Sequence, residues 1–456
     1  MVTGEKREFH KKNEIHRLQI VGYSHDGAGI ARLDGMTVFV AGALRGEICD
    51  VQLLKVGKSA SWGKAVRVIE PSPGRLASDC PHYPKCGGCQ TRHMSYAEEL
   101  EFKRQRVEDA LRRIGGAEIR VPVILGAKNT KRYRNKAQFP VGRDGSIGFY
   151  RARSHDVTDV PDCLLQSEPA ARLRAALKGW MEEYKIPAYD EENHSGLIRH
   201  LFVRTNRSGQ SLCCVVANGE ELPHTRALIE VLRVGEPGLT GIILAINKQR
   251  TNVVLGDIFR TLWGRDYLED TLYGLTFRLS VPSFFQVNRE QTEVLYQTAL
   301  EFAELTRTDT VLDLYCGVGT ITLVMAKEAL RAIGAEVVSE AVEDARDNAR
   351  RNGVNNVKFI CADAGQSARV LSDEGIRPDV ICVDPPRKGL AADVIDTICA
   401  IAPKRLVYVS CDPGTLARDI KLFGLQGYSP VKAVAVDLFP RTHHVECVVL
   451  MSRVKE

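Results

Sequence analysis

Beyond residue 284, apolar segments rich in β-branched residues alternate with helical segments. The apolar segments read, in chain order, TVLDLYC, RAIGAEV, VKFICAD, DVICVDPP and RLVYVSC. Because two parallel strands need a crossover connection, this alternation predicts an α/β domain with an open parallel sheet and helices on both faces. Ligands bind beyond the carboxyl ends of the strands in such sheets, so the residues that close each segment are the first site candidates.

The beginning of the chain predicts a separate small domain. From Ile15 to Glu70 short β-rich segments are broken by turn pairs such as Asp26-Gly27 and Asp34-Gly35, which is typical of a small β-barrel. Pro71-Ser72-Pro73-Gly74 cannot continue a sheet and therefore indicates a linker.

Between the linker and residue 284 the pattern predicts one helix and then a second β-rich domain. Apolar residues at helical spacing run from Tyr96 to Ile114, and Gly115-Gly116 ends the helix with a left-handed cap. From Tyr133 to Leu279 strand-like segments surround one helical segment, which predicts a mostly antiparallel domain. We therefore expect domains at residues 1–72, 73–283 and 284–456, with the helix at 96–115 packed on the last of them.

The composition excludes several classes of protein. With 44% hydrophobic and 26% charged residues, the 456-residue chain is globular rather than disordered or fibrous. Met1 to Asn13 is charged and resembles no signal peptide, and no apolar stretch reaches the roughly 20 residues of a membrane-spanning helix. We expect a cytoplasmic monomer without membrane contact. The thirteen cysteines, an odd number, argue for reduced thiols with metal-binding or catalytic roles.

Two stretches of basic residues suit the phosphate backbone of a nucleic acid. The net charge of +5 says little about partners, so the local density of cations carries this interpretation. A solvated helix face followed by a basic loop is the alternative. The residues are Lys103, Arg104, Arg106, Arg112, Arg113, Lys128, Lys131, Arg132, Arg134 and Lys136.

A glycine loop closes the first apolar segment of the last domain, where Asp313 precedes Gly317, Gly319 and Thr320. Glycine lets the backbone turn approach a ligand closely. A dinucleotide-binding fold would show a fuller G-x-G-x-x-G, whereas an aspartate before a single G-x-G resembles the loop of class I methyltransferases. That resemblance implies that the loop binds S-adenosylmethionine through Gly317 and Thr320.

Acidic residues close the next three segments. Glu336 ends the second, about twenty residues after Gly317, where such folds place an acid that binds ribose hydroxyls; a solvent-exposed glutamate is the alternative. Asp363 ends the third, near the expected adenine amino group, and a loop cap is an equally good interpretation. Asp384-Pro385-Pro386-Arg387 closes the fourth, and its prolines form a rigid floor for a reacting base. Amino-methylating enzymes place an aromatic residue where Arg387 stands, which argues against amino methylation.

Ser410-Cys411-Asp412-Pro413 closes the fifth segment and supplies a thiol at the ligand-binding edge. A thiol at that edge is a candidate nucleophile for covalent catalysis. A helix beginning near Pro413 is expected to lower the thiol pKa. Inert core thiols are the alternative, which fits Cys316, Cys361, Cys382, Cys399 and Cys447.

Three motifs together resemble the RNA uracil-5-methyltransferase family: SFFQVN, SCDPGTLARD and HHVEC. The resemblance implies a Rossmann-like class I methyltransferase domain in which Cys411 is the nucleophile and Glu446 is the base. Carbon 5 of uracil is too weak a nucleophile to attack a sulfonium methyl group directly, so a thiolate must add to carbon 6 and a base must then remove the carbon 5 proton. A non-catalytic RNA-binding protein on the same fold would be expected to lack one of these two residues, and both are present. The positions that match the family's cofactor and substrate contacts are Gln286, Tyr315, Glu336 and Asp384.

Aromatic residues near these motifs are candidates for holding the target base. A base inside RNA must be unstacked before it can enter an active site. Phe284, Phe285 and Tyr315 are candidate stacking walls, although core packing explains Phe284 equally well.

Cys80, Cys86 and Cys89 form a compact motif, CPHYPKCGGCQ, and Cys163 lies further along the chain. Four thiolates suit either a [4Fe-4S] cluster or a tetrahedral zinc ion, and spacing alone does not choose between them. The motif with a later cysteine resembles family members that carry a [4Fe-4S] cluster, so the resemblance favours iron and sulfur. The role would be structural, because no step of methyl transfer needs an electron.

The N-terminal barrel resembles the TRAM module, an OB-like RNA-binding fold. Its aromatic residues are few, Tyr23, Phe39 and Trp62, so we expect recognition of RNA shape and phosphate. Family members with both TRAM module and cluster resemble enzymes that act on 23S ribosomal RNA, whereas bacterial transfer-RNA enzymes of the family usually lack both. A uridine of 23S rRNA is therefore the expected target, and transfer RNA is the alternative.

Overall fold

The structure, a computed structural model, describes residues 10–453. Contacts group these residues into two compact units. The first comprises the chain up to Pro84, Cys89–Arg106 and Arg441–His443; the second comprises Lys85–Gly88, Val107–Pro440 and the chain from His444. The domain boundaries predicted at residues 72 and 283 stay predictions. Within residues 10–453, no helix combines the length and the apolar character needed to cross a membrane.

The first unit is built on a curled six-stranded sheet, which confirms the β-rich fold predicted for this part of the chain. Its strands are β1 (Ile15–Gln19), β2 (Gly22–Tyr23), β3 (Gly29–Leu33), β4 (Met36–Ala41), β5 (Ile48–Val56) and β6 (Ala60–Glu70). The strand order is β1-β5-β6-β4-β3-β2, and all neighbours are antiparallel except β4 and β6. Alternate residues point into one core, where Val38, Val51 and Leu53 are fully buried.

The helix predicted after the linker is α1 (Tyr96–Arg113). Gly116 has a φ of 65°, a left-handed conformation that glycine adopts without strain, and the helix stops just before it, as predicted. The last turns of α1 belong to the second unit, where Val107 and Leu111 are buried in one core cluster with Leu416 and Phe423.

The β-rich region predicted from Tyr133 to Leu279 is present, but it contains two helices where one was predicted. The elements of residues 124–280 are β7 (Ile124–Leu125), β8 (Lys136–Pro140), β9 (Gly148–Tyr150), β10 (Val157–Asp159), α2 (Glu168–Glu183), β11 (Ile198–Thr205), β12 (Ser211–Ala217), α3 (Thr225–Gly235), β13 (Leu239–Ile246), β14 (Ile258–Gly264), β15 (Tyr267–Leu272) and β16 (Leu275–Ser280). The two helices are α2 and α3, and the strand that precedes the region, β7, pairs with β22 (Tyr428–Val436) of the last sheet. The central sheet has the order β14-β13-β12-β11-β8, and only β12 and β13 are parallel. The prediction of a mostly antiparallel sheet is confirmed. Strands β11 and β12 are buried along their whole length, because α2 and α3 contribute to the core on one face while Leu268 and Val281 pack on the other.

Residues 289–453 form the alternating α/β region. Its elements are α4 (Arg289–Ala303), β17 (Thr310–Leu314), α5 (Thr320–Ala326), β18 (Arg331–Glu336), α6 (Ser339–Arg351), β19 (Val357–Cys361), α7 (Ala364–Asp373), β20 (Val380–Val383), α8 (Ala392–Ile401), β21 (Arg405–Ser410), α9 (Pro413–Gly424), β22 (Tyr428–Val436) and β23 (Glu446–Arg453). The sheet order is β19-β18-β17-β20-β21-β23-β22-β7. Strands β17 to β21 are parallel, as predicted, whereas β23 runs antiparallel to both of its neighbours. Two core clusters contain residues of this sheet and of the helices that cover it.

Candidate active site

The carboxyl ends of the parallel strands border a cavity of about 470 Å³. The predicted catalytic and cofactor residues line this cavity, with the exception of Asp363. Those that line it are Gln286, Tyr315, Gly317, Thr320, Glu336, Asp384, Cys411 and Glu446. The structure therefore brings together side chains that are widely separated in the sequence.

The loop between β17 and α5 depends on left-handed backbone at three positions, with φ of 67° at Tyr315, 52° at Gly317 and 81° at Gly319. A side chain at Gly319 would lie 3.0 Å from the ring of Phe359 and 3.1 Å from Cβ of Ala345, so only glycine fits. Gly317 lines the cavity, and the absence of a side chain lets backbone approach a ligand there.

Glu336 is held in place by three backbone donors. Its Oε2 accepts a hydrogen bond from the amide of Gly317 at 3.2 Å, and its Oε1 accepts from the amides of Val337 and Val338 at 2.8 and 3.1 Å. A carboxylate fixed in this way at the wall of a cavity suits recognition of neighbouring hydroxyl groups. Asp363 has a different environment, because its side chain caps α7 by accepting from the amide of Gln366 at 2.8 Å. Its predicted contact with adenine stays a prediction.

Two further carboxyl groups line the cavity where β17 and β20 end. Burial raises the pKa of both Asp313 and Asp384 to about 7. Thr322 donates a hydrogen bond of 2.6 Å to Oδ2 of Asp313, while Oδ1 of Asp313 is buried with no partner among residues 10–453. Buried acids with unused acceptors favour a cationic or hydrogen-bonding ligand beside them.

Cys411 and Glu446 lie at the end of the β21–β23 ladder. Ser410, the last residue of β21, pairs with Cys447 on the antiparallel strand β23. Cys411 follows β21 directly, and Glu446 is the first residue of β23. Cys411 is half-buried and the Glu446 side chain is 2% exposed, and both border the cavity.

The expectation that a helix start lowers the pKa of Cys411 is wrong. Helix α9 does begin at Pro413, but the amides of Gly414 and Thr415 at its start donate to the carboxylate of Asp412, at 2.9 and 3.0 Å. Burial, together with the charges of Glu446 and Asp384, raises the thiol pKa to about 11. The helix therefore stabilises the charge of Asp412, and the resting thiol is protonated at neutral pH.

The pKa of Glu446 is shifted in the same direction as that of Cys411. Burial and the charge of Asp384 raise its pKa well above the ordinary value, and Arg387 opposes this shift. The charge of Arg387 likewise lowers the pKa of Cys411. Nη2 of Arg387 lies 3.4 Å from Nε2 of His444, and both residues line the cavity. Sequence reasoning noted Arg387 only as the replacement for an aromatic residue and missed its electrostatic role.

The two candidate stacking residues before Gln286 differ in exposure. Phe285 is 2% exposed and lies 6.0 Å from Phe277, ring centre to ring centre, in the core of the domain. Phe284 is 64% exposed and also lines the cavity. Phe285 lines the cavity as well, so the stacking role stays a prediction for both residues, and Phe284 is the more open of the two.

The four cysteines of the predicted metal site are all half-buried. Within the first unit, the guanidinium group of Arg92 is hydrogen-bonded to Cys89. Within the second, a side chain at Gly88 would lie 3.5 Å from Sγ of Cys86, so glycine leaves the space around this sulfur open. Cys80 belongs to the first unit and Cys163 to the second. Their shared role in binding a metal centre stays a prediction.

Comparison with known proteins matches two parts of the chain to known families. Residues 259–454 match the family described as tRNA (Uracil-5-)-methyltransferase, and residues 11–66 match the TRAM domain. An uncharacterized RNA methyltransferase of Clostridium tetani is 44% identical over 446 residues, covering 97% of each chain. Another, from Halalkalibacterium halodurans, is 43% identical and covers 96% of this chain and 97% of its own.

Among solved structures, the chain is similar to the tRNA (uracil-54, C5)-methyltransferase of Pyrococcus abyssi in complex with S-adenosyl-L-homocysteine. The TM-score is 0.78 at 27% sequence identity, over 95% of this chain and 99% of that one. The fold and the cavity at the strand ends thus define a class I, S-adenosylmethionine-dependent methyltransferase. Within that class, the chain belongs to the RNA uracil-5-methyltransferase family, with an N-terminal TRAM domain.

Proposed function

We propose that this protein methylates carbon 5 of a specific uridine through a covalent adduct, with Cys411 as the nucleophile and Glu446 as the base. One observation carries the proposal: Cys411, directly after β21, and Glu446, at the start of β23, line the same cavity as the predicted cofactor residues, and the charge of Glu446 acts on the thiol. Uracil-5 methylation needs this pair, a nucleophile for carbon 6 and a base for the proton on carbon 5.

The Cys411 thiolate first adds to carbon 6 of the uracil, and the electrons of the carbon 5–carbon 6 double bond form an enolate. Carbon 5 then takes the methyl group, while the electrons of the broken sulfur–methyl bond remain on the departing sulfide. The Glu446 carboxylate next removes the carbon 5 proton. The bond between Cys411 and carbon 6 breaks, which restores the double bond and the thiolate.

Arg387 supports the charges that these steps require. Its guanidinium group lowers the pKa of both Cys411 and Glu446, which opposes the effect of burial on the two groups. The reaction uses the anionic form of each, so a cation at this position favours the reactive state. Phe284, exposed at the wall of the same cavity, is proposed to stack on the unstacked base.

The residues around the cavity fit S-adenosylmethionine, which supplies an electrophilic methyl group on a positively charged sulfur. Cavities that bind small molecules usually measure about 300–1,000 Å³, and this one falls within that range. Asp313 and Asp384 place acidic groups where a cation would be stabilised. We propose that Glu336 holds the ribose hydroxyls. Further proposed contacts are Gln286, Tyr315, Gly317 and Thr320.

For the cysteine motif we propose a structural [4Fe-4S] cluster held by Cys80, Cys86, Cys89 and Cys163. A donor set of four half-buried thiols suits such a cluster, and the hydrogen bond from Arg92 to Cys89 favours the thiolate form that binds metal. Zinc is the alternative for the same donors. Anaerobic purification should yield a brown protein with about four irons per chain, and stoichiometric zinc without iron would refute the cluster.

The proposed target is a uridine of 23S ribosomal RNA, because the TRAM domain together with the cysteine motif resembles the ribosomal branch of the family. Transfer RNA is the second candidate. It is supported by the similar Pyrococcus abyssi structure, whose protein acts on uridine 54 of tRNA and covers nearly the same length.

Mass mapping of 5-methyluridine in both RNAs, from strains with and without the gene, distinguishes the two targets. Loss of one 5-methyluridine from 23S rRNA, restored by the wild-type gene but not by the Cys411→Ala variant, is the expected result. Loss from tRNA alone would replace the ribosomal target by the second candidate. If neither RNA changes, the proposed substrate is wrong.

A further inference from the structure

A short segment of the central region is fixed against the loop that lines the cavity. The backbone of Arg134 pairs with Asn288. Asn135 donates through its amide to the carbonyl of Val287 at 2.8 Å, and through its side chain to the carbonyl of Gln286 at 2.9 Å. The basic side chains of this segment therefore stand close to one wall of the proposed active site.

Two cations contact the same loop a few residues earlier. Lys136 Nζ lies 6.0 Å from the ring centre of Phe284, within range of a cation–π interaction. The guanidinium group of Arg204, on β11, donates to the carbonyl oxygens of Ser283 at 2.6 Å and Val281 at 3.4 Å. The charges of Arg204 and Arg134 both act on Lys136, and we call these three residues the cation cluster.

The cation cluster is not neutralised by carboxylates. Among residues 10–453, neither Arg134 nor Lys136 forms an ion pair, and Nε of Arg134 is buried without a hydrogen-bond partner. Arg204 is 1% exposed, and its Nε and Nη1 also lack partners within that range. The carboxylate that acts on Arg204 is Asp270, which is already engaged by an ion pair with Arg289.

Other cations in the two basic stretches have different environments. Several of them pair with nearby acids, so their charges are balanced within the protein. These pairs are Lys103 with Glu99, Arg104 with Glu101, Arg112 and Arg113 with Asp109, and Arg132 with Asp162. Removing positive charge from water without a counter-charge is unfavourable, and a bound anion compensates for it. The cation cluster thus has the character of an anion-binding site.

We propose that Arg134 and Lys136 bind a phosphate of the RNA backbone that flanks the target uridine, and that Arg204 adds positive potential and fixes the loop at residues 281–283. This inference rests on the proposed function, since it takes the cavity as the site of the target base. The position of Phe284 supports it, because this residue borders the cavity and also lies beside Lys136. A nucleotide whose base entered there would bring a backbone phosphate near the cluster.

The protonation of Lys136 provides a second property by which the phosphate contact can be tested. Burial, followed by the charges of Arg204 on β11 and Arg134 before β8, lowers its pKa to about 8. A phosphate bound beside it would raise that pKa again. RNA binding should therefore take up a proton and weaken as the pH rises through 8 to 9. The Lys136→Arg variant, whose side chain stays charged, should lose that part of the pH dependence.

The test measures RNA affinity against salt concentration for the full chain carrying Cys411→Ala, without methyl donor. Lys136→Gln should weaken the binding of substrate RNAs whatever their sequence. It should also reduce the slope of log K, the RNA association constant, against log salt concentration by roughly one. Lys248→Gln is the matched control, since Lys248 is an exposed lysine of the same central region paired with Glu220 at 2.7 Å. Lys136→Arg should restore the slope.

An unchanged slope in Lys136→Gln, with a thermal melt matching the control, would overturn the inference. The bound anion could be an RNA phosphate or free phosphate, and a titration with inorganic phosphate in place of RNA distinguishes the two. Binding of free phosphate together with an unchanged RNA slope would refute the RNA contact. Because the assay needs no methyl transfer, its result stands apart from the proposed chemistry. If the protein does not methylate carbon 5 but Lys136→Gln still reduces the salt slope, the proposed function is rejected and the phosphate contact stands.

Discussion

Cys411 directly follows β21, Glu446 begins the neighbouring antiparallel strand β23, and the charge of Glu446 disfavours the Cys411 thiolate. The last pair of this ladder, Ser410 with Cys447, joins the two strand ends, although 34 residues of chain separate Cys411 from Glu446. After burial, the charge of Glu446 is the largest cause of the raised thiol pKa. Burial and neighbouring acids therefore raise the pKa of both the proposed nucleophile and the proposed base.

Replacement of the nucleophile is the first prediction. Cys411→Ala should abolish the denaturation-resistant complex that the enzyme forms with RNA carrying 5-fluorouridine, because fluorine on carbon 5 blocks release of the adduct. Gel electrophoresis under denaturing conditions measures this complex. Cys361→Ala is the matched control, since Cys361 is an exposed thiol at the end of β19 that does not line the cavity. Persistence of the complex in Cys411→Ala would refute the assigned nucleophile.

Replacement of the base should separate methyl transfer from product release. In Glu446→Gln the thiol can still add and carbon 5 can still take the methyl group, but the carbon 5 proton has no acceptor. We expect a covalent complex between this variant and ordinary uridine RNA to accumulate in the presence of S-adenosylmethionine, with turnover reduced by roughly 10²–10⁴-fold. Intact-protein mass spectrometry detects the adduct. Rapid turnover without any adduct would assign the base elsewhere.

The electrostatic coupling predicts a pH effect that needs no RNA. Because the thiol pKa is raised to about 11, alkylation of Cys411 by iodoacetamide should accelerate with pH across the range from 7 to 10. In Glu446→Gln the opposing charge is gone, so the profile should shift towards lower pH. Arg387→Gln should shift it the opposite way, since Arg387 lowers the thiol pKa. Identical profiles in all three proteins would contradict the coupling.

Glu336 and Asp363 should respond differently to substitution. Charge-assisted hydrogen bonds contribute about 1.5–3 kcal/mol, so loss of the Glu336 carboxylate should weaken S-adenosylmethionine binding roughly 10- to 150-fold. Asp363→Ala removes the cap of α7 and should lower the free energy of unfolding by about 1 kcal/mol while leaving that affinity unchanged. Calorimetric titration and thermal melts measure both. A large loss of S-adenosylmethionine affinity in Asp363→Ala would instead assign Asp363 to the cofactor site.

Local signals in the sequence predicted much of the fold. Asn288 stands three residues before Gln291, the spacing of a helix-capping box, and its side chain caps α4 by accepting from the amide of Gln291. The five parallel strands lie where alternation of apolar and helical segments placed them, because each pair is joined by a helix that buries one face. Gly319 occupies a left-handed position that leaves no space for a side chain. Each of these features depends on residues close together in the chain.

Features that depend on distant residues were not predicted from the sequence. The placement of Glu446 beside the end of β21 comes from β23, which runs antiparallel and follows no crossover helix. The thiol pKa depends on carboxylates from β20 and β23, and these outweigh the helix start that the local sequence suggested. The sequence did not identify Arg204 as a site residue, because the pattern of a strand does not distinguish a buried arginine from an exposed one.

The central claim, methylation of carbon 5 through a Cys411 adduct, is tested most directly by tritium release. Substrate RNA labelled with tritium on carbon 5 of uridine is incubated with the enzyme and S-adenosylmethionine, and released tritium is compared with methyl groups incorporated. We predict equal amounts of both with the wild-type enzyme and neither with Cys411→Ala. Methyl incorporation without tritium release, or release that persists in Cys411→Ala, would contradict the account.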